Sequence, residues 1–413
     1  MDTRFPSEKA YPFDSESSVG MKTEKIFSMQ TLDQIFIIAK KIILGVTGHF
    51  LPDWACLLTS ILISISAIAV LGPFTMMYLT LLERKVIGRM QNRIGPNRVG
   101  KWGLLQPFAD GIKMLTKEDI VPLEADKVIH FLAPLFIVMP ALLVFAVIPF
   151  GRNMTAVDLN VGLLFFIAVS STTTIAIFMA SWSSRNKFSL LGGMRSAAQM
   201  ISYEIPMVLS VVPVIMMAGS LSTNSIVEAQ SRWHGLKWFV FTPWGFLGFI
   251  IFFLCAVAEC NRSPFDLPEG ESEIVAGFHT EYSGMKFALF YMAEFMNSFT
   301  LSGLAVTLFL GGWQGPFLPS WIWFFLKTYA LIFVMIWFRG TLPRVRVDQL
   351  MGLAWKFLLP LTLANLLVTG FWYFTSRPVR IAGSMVLLAL AFWILTKLNR
   401  DVVPEKRVYH FAE

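Results

Sequence analysis

Charge is what this sequence has least of. Asp, Glu, Lys and Arg make up 15% of its 413 residues, while 55% are hydrophobic and the mean hydropathy is +0.62. Soluble domains carry roughly 25% charged residues. The shortfall excludes an ordinary water-soluble domain and predicts an all-α polytopic membrane protein. Cysteine is scarce too: Cys56, Cys255 and Cys260 form no Cys-x-x-Cys. The chain alone is therefore expected to hold no iron–sulfur cluster. No strand-borne G-x-G-x-x-G and no P-loop occurs, so no flavin or nucleotide is expected here. The glycine-rich "LGGWQGP" at 310–316 ends an apolar run and reads as a turn. The net charge of +7 comes from dispersed Lys and Arg without an aromatic platform, which excludes nucleic acid as the partner and suits a lipid surface.

Long apolar runs are present instead. A helix needs about 20 apolar residues to cross the hydrocarbon, since lipid offers its backbone no hydrogen-bond partner. Nine runs meet the need, near 54–82, 129–149, 161–182, 200–219, 243–258, 285–312, 318–338, 357–374 and 381–398. Residues 1–31 are polar, and Asp2, Glu8, Asp14 and Glu16 do not make a secretory n-region; they read as a poorly ordered extension. Residues 32–50 place Asp33, Gln34, Lys40 and Lys41 on one helical face, predicting an amphipathic helix at the membrane interface, with a short extra span as the alternative.

Lys and Arg mark cytoplasmic loops. The loop after the first run holds Arg84, Lys85, Arg89, Arg93, Arg98, Lys101, Lys113, Lys117 and Lys127, and the next holds Arg152 alone. Heavy and light loops then alternate. Loops 1–2, 3–4, 5–6 and 7–8 and the C-terminus are expected in the cytoplasm, with the N-terminus outside.

Acid concentrates in one place. "AECNRSPFDLPEGESEIVAGFHTEYSGM" (258–285) carries Glu259, Asp266, Glu269, Glu271, Glu273 and Glu281 against Arg262. Crowded, partly buried carboxyls resist ionising together, so some pKa values are expected to rise toward neutrality. Such groups can pass protons; the plainer alternative is a solvated acidic loop. The acid spacing does not fit an EF-hand, and no metal site is expected. Three ionisable residues fall inside runs: Glu204, Glu294 and Lys327. Charge at membrane depth costs several kcal/mol unless paired or hydrated. Each marks an internal polar path or a side chain reaching back to water. Glu83 and Arg84 end the first run, as a path element or a salt-bridged cap. Residues 103–119 are amphipathic, with Leu104, Leu105, Phe108, Ile112 and Leu115 on one face and Asp110, Lys113 and Lys117 off it. This segment is a docking helix or the lip of a lateral opening for a lipid-soluble ligand. Arg339, Arg344 and Arg346 follow the seventh run, to anchor a partner or counter the acids.

Together "LLERKVIGRMQNRIGPNRVGKWGLLQPFADGIKMLTKED", "SLLGGMRSAAQMISYEIP", the acidic segment, "LFLGGWQGP" and "LPRVRVDQLMGLAWKFLLPLTLANLLVTG" resemble the family of H subunits of the respiratory NADH:quinone oxidoreductase, complex I, over 54–374. The resemblance implies an eight-helix core in a bacterial-type plasma membrane. It implies a tunnel for a quinone substrate, ubiquinone or menaquinone, with Glu83, Arg84, Asp110, Arg195, Arg262, Asp266, Arg339 and Arg344. It implies a proton path with Glu204, Glu259, Glu269, Glu271, Glu273, Glu281 and Glu294. The implied partners are peripheral complex I subunits carrying the terminal iron–sulfur cluster, and small membrane subunits leading to antiporter-like subunits. The chain departs from the family in its polar N-terminal extension, in Cys260 where threonine is commoner, and in 375–413, a ninth span and tail beyond the usual end. The rival readings are the equivalent subunit of a membrane-bound hydrogenase or formate-linked complex, and a self-standing cation/proton antiporter; no internal repeat supports the second.

Overall fold

Each of the nine apolar runs lies on a helix, because only a helix satisfies the backbone within a single segment in lipid. The computed structural model describes residues 33–48, 52–231, 237–268 and 270–400, with the side chains of 271, 272, 377, 378 and 398–400 excepted. The predicted extension 1–31 and the tail beyond 400 lie outside the described residues. In order, the first elements are α1 (Ile35–Gly48), α2 (Asp53–Met90), α3 (Gln106–Thr116), α4 (Lys127–Val144), α5 (Gly162–Ser183) and α6 (Lys187–Ala218). The short α7 (Thr223–Ala229) precedes α8 (Pro243–Glu259), and α9 (Glu271–Ile274) is a single turn. Then come α10 (Gly284–Phe309), α11 (Ser320–Thr341), α12 (Val347–Gly352), α13 (Leu359–Phe374) and α14 (Arg377–Arg400). No strand occurs among the described residues.

Seven helices are long and apolar enough to cross a membrane: α2, α4, α5, α6, α11, the run Val347–Phe374 and α14. α8 has 17 residues and is shorter. α10 has 26 residues but carries Lys286 and Glu294 and is not among the seven. α12 and α13 form one path, because a π turn (Leu353–Leu358) bridges them; the span thus starts ten residues before the 357 expected from hydropathy.

Local chemistry sets the boundaries. The Asn186 side chain accepts from the Phe188 N–H at 2.9 Å and opens α6. Gly219, at φ 69°, closes it in the left-handed conformation that glycine adopts without strain. Thr242 caps α8 from the Gly245 N–H, with Pro243 at the first helical position.

α10 is the core element. Ala293, Met296, Phe299, Ser302, Thr307, Leu308 and Phe309 are all buried along it, and α2, α4, α8 and α11 pack around it. α2 and α14 are peripheral. Trp54, Leu57, Leu62 and Val70 on α2 are exposed, as are Val386 and Trp393 on α14, the surface expected to face lipid chains. α14 rests on α13; Phe392 meets Phe357 edge-on, and the Arg380 guanidinium lies 4.6 Å over Trp372.

The predicted 32–50 helix is α1, 14 residues and about 21 Å long, too short for the ~30 Å hydrocarbon. The Asp33 carboxylate accepts from the Ser320 N–H at 2.7 Å, and Lys40 donates to Ser64 at 2.8 Å. Ser64 lies nineteen residues before Glu83 on α2, and Ser320 nineteen before Arg339 on α11. Glu83 and Arg339 form an ion pair. By helical rise both tethers of α1 therefore sit about 28 Å from that pair, at one shared depth.

The loops that the Lys and Arg count groups together meet at one end. Lys286 pairs with Asp119 at 2.7 Å, and Asn186 donates to Glu281 at 2.6 Å. The Val345 N–H donates to the Pro264 carbonyl at 3.2 Å. This loop end carries the candidate site.

Candidate functional site

Four helices place a cation between two acids. α8 ends at Glu259, and the following turn carries Arg262 back under the loop end. Arg262 pairs with Glu83 of α2 at 2.5 Å and with Glu294 of α10 at 2.9 Å. Arg339 at the end of α11 pairs with the other Glu83 oxygen. The Arg262 guanidinium also lies 4.2 Å over Phe295. Arg262 and Glu83 are each 6% exposed. Burial opposes the Arg262 charge, but Glu294 and Glu83 outweigh it and hold the guanidinium protonated. Glu83 thus does not end the first span as a cap: α2 runs on to Met90, and Glu83 is a buried ion-pair partner inside it. Arg84, on the exposed side, reaches Asp110 of α3 at 2.6 Å. Burial pushes the Asp110 carboxyl up; hydrogen bonds from Arg84 and Gln106 and the Arg84 and Lys113 charges more than reverse this and hold it below the usual carboxylate range.

Open space borders the network on both sides. A cleft of about 550 Å³ opens beside α2 and is lined by Thr80, Glu83, Arg84, Ile87, Tyr291, Phe295 and Arg339, among others. A narrow inner cavity of about 30 Å³ is lined by Glu259, His279, Tyr291, Glu294, Asn297 and apolar neighbours. It has room for a water or two. Glu259 is 7% exposed, and its Oε2 meets no hydrogen-bond partner among the described residues. Glu204, half-buried on α6, interacts electrostatically with Glu259.

The acidic loop is arranged differently from a simple crowd of acids. Glu273 extends outward and pairs with Arg195 at 2.6 Å. That hydrogen bond and charge hold its carboxyl below the ordinary range, the reverse of the rise expected from crowding. Glu281 accepts from Asn186. Arg344 donates to the backbone carbonyl of Asp266 and so fastens the loop. Glu269 and the Glu271 side chain lie outside the described residues.

Three contributors carry no strong sequence signal. Gln199 donates to the Ala258 and Phe265 carbonyls, both at 2.8 Å, and ties the loop to α6. Asn186 orients Glu281. His279 is buried beside Phe278 and Phe287, and burial pushes its imidazole down to about 4. Gln199 follows Arg195 and Ser196 just before an apolar run and gives no signal of its own; His279 sits in the acidic segment but draws no notice beside its carboxylates. Lys327 lies away from this site and does not snorkel. Its Nζ is enclosed in protein.

The model of the family described as NADH dehydrogenase matches residues 63–370. The chain belongs to the NADH dehydrogenase family. The family match begins within α2 and ends within α13, so it includes every ionised group of the network and leaves α1 and α14 outside. Curated members of the family are similar throughout this region. The H subunit of NADH-quinone oxidoreductase from Dehalococcoides mccartyi (strain CBDB1) is 54% identical over 320 residues, which is 77% of this chain and 89% of that protein. The first-numbered H subunit of the NADH-quinone oxidoreductase from Geobacter metallireducens is 54% identical over 309 residues, 73% of this chain and 92% of that protein. The corresponding protein of Bacillus mycoides is 53% identical over 307 residues, 73% and 90% respectively. The NADH dehydrogenase core is thus an integral membrane helical bundle with its buried ion pairs gathered at one end.

Proposed function

We infer that this chain is the membrane subunit of an NADH:quinone oxidoreductase that forms the quinone tunnel and the start of the proton path. One observation carries the reading: a single buried network touches both spaces. Glu83 and Arg339 line the cleft, Glu294 lines the inner cavity with Glu259, and Arg262 lies between them. The cleft volume falls within the range of small-molecule sites, and its mixed apolar and basic lining suits a lipid-soluble carbonyl compound such as ubiquinone or menaquinone.

The chain's own residues then act as follows. Arg84 and Arg339 face the cleft and stabilise negative charge on a reduced headgroup. New negative charge beside Arg339 and Arg262 competes with Glu83 and Glu294 for those cations, and in a low-dielectric interior the competition is worth several kcal/mol. A carboxylate that loses its cation takes up a proton. Glu294, Glu259 and Glu204 pass the disturbance inward. Glu269, Glu271, Glu273 and Glu281, with Arg195, Asp266 and Arg344, frame the loop above. The loop end faces the cytoplasm by its Lys and Arg content, in a bacterial-type plasma membrane. There it meets peripheral subunits that hold the terminal iron–sulfur cluster, while small membrane subunits lead on to antiporter-like ones. α1 lies at the opposite interface, and α14 is a ninth span.

Replacement of Glu294 by Gln in the assembled complex tests this. Quinone reduction coupled to proton pumping is expected to fall at least tenfold. Wild-type rates of both in Glu294→Gln and in Glu273→Gln would remove the proposal.

A further inference from the structure

The outer half of the bundle holds a cation of a different kind. Lys327 lies on α11, twelve residues and about 18 Å from Arg339 toward the Ser320 end. It is 7% exposed. Its Nζ donates to the carbonyls of Leu310 at 2.7 Å, Gly312 at 3.0 Å and Gln314 at 2.7 Å. The faces of Trp238 and Trp323 lie 4.3 and 5.6 Å from it. Among the described residues no carboxylate is within ion-pair distance of Lys327.

Geometry favours its charged form. Three carbonyls can only accept, so three N–H donors are needed to satisfy them, and a neutral amine has two. The cage therefore favours the ammonium. The "LGGWQGP" turn builds this cage. Gly311 and Gly312 take φ of 72° and 55°, turning the carbonyls of the turn onto one point, and a Cβ on Gly311 would come within 2.6 Å of Trp238. Gln314 donates to the Val227 carbonyl at 2.6 Å, and the Gly311 N–H donates to Gln230, which anchors the turn. The Leu310 carbonyl belongs to the C-cap of α10, the negative end of its dipole, and those of Gly312 and Gln314 follow in the turn.

Position gives the cage its meaning. Glu204, Glu259 and Glu294 all lie on the loop-end side. Among the described residues of α4, α5, α6, α8, α10, α11 and α13, Lys327 is the one charged side chain on the outer side of those acids. A proton leaving the acids outward would approach an ammonium with no carboxylate partner in a low-dielectric interior.

The geometry points to Lys327 as an electrostatic barrier that closes the outer half of this chain to protons, so that charge gathered at the acids cannot escape directly across the membrane. The inference rests on the proton-path reading above. Capping the end of α10 is a structural duty that any snug donor would meet; blocking protons requires the charge.

The test uses the whole complex in liposomes without NADH. A potassium diffusion potential set with valinomycin drives protons inward past a trapped pH dye. Lys327→Met and Lys327→Gln are expected to raise passive proton entry roughly tenfold, with Lys327→Arg as tight as wild type and uncoupled NADH:quinone reduction unchanged. Glutamine keeps two donors for the cage, so it separates charge from capping. Vesicles of both neutral variants as tight as wild type would overturn the barrier, and so would failure of both to assemble, which assigns the ammonium to folding alone. Adding Glu294→Gln separates the two readings. A leak that disappears supports both, and a leak that persists upholds the barrier while counting against a path through Glu294.

Discussion

Arg262 and Lys327 are both buried cations, and their surroundings are opposite. Arg262 sits between two carboxylates that neutralise it. Lys327 is solvated by neutral carbonyls and indole faces. The first arrangement holds charges that can be redistributed, because each partner has its own protonation equilibrium. The second has partners whose charge cannot change, because amide carbonyls do not titrate. One end of the bundle is built to respond to charge and the other to repel it.

Breaking the first arrangement carries the largest expected effect. Arg262→Met leaves Glu83 and Glu294 buried without their shared cation, which costs about 3–5 kcal/mol. Assembly yield and the thermal midpoint of the detergent-purified complex should fall, with quinone reduction lost. Acid titration sharpens the comparison next. Burial lowers the His279 imidazole to about 4 from an ordinary 6.5, so the unfolded chain binds more protons between those values. Stability is therefore full above about 6.5 and declines as pH falls toward 4, by up to about 3 kcal/mol. His279→Asn should flatten the thermal midpoint over that window, and an unchanged slope would contradict the burial argument. Lys327→Met should cost about 1–3 kcal/mol from carbonyls left without donors, less than Arg262→Met by the same melting measurement. The smallest effect belongs to Asp33→Ala. It removes the acceptor at the start of α11 and should lower stability by about 1 kcal/mol.

What is legible in the sequence follows from where each partner lies. The spans are legible because apolar runs of membrane length have one stable backbone solution. Glu294 stands out as a charge inside an apolar run, Glu83 and Arg339 as charges at the ends of runs, and Arg262 as the cation of the acidic segment. Their pairing does not, since Glu83 and Arg262 are 179 positions apart and nothing local in either segment names the other. Glu273 misleads because proximity in sequence suggests repulsion, while its actual neighbour is Arg195 of another helix. Lys327 is ambiguous because its partners are backbone carbonyls, which leave no residue-specific trace beyond the glycines that aim them. The start of the helix at Val347 is hidden by a π turn, which interrupts 3.6-residue periodicity without ending the helix.

The length of α2 has a mechanical side. At 38 residues it measures about 57 Å, nearly twice the hydrocarbon thickness. Its apolar run, 54–82, measures about 43 Å by the same rise, and a mismatch with the hydrocarbon is relieved by tilt or by a protruding end. Glu83 and Ser64 are pinned, to Arg339 and to Lys40 of α1, at points about 28 Å apart, so the overhang falls on the seven residues after Glu83, where Asp110 holds Arg84, and on the eleven before Ser64. A thicker bilayer would draw in the overhang before Ser64 first, leaving the pinned stretch and the acids at its inner end undisturbed.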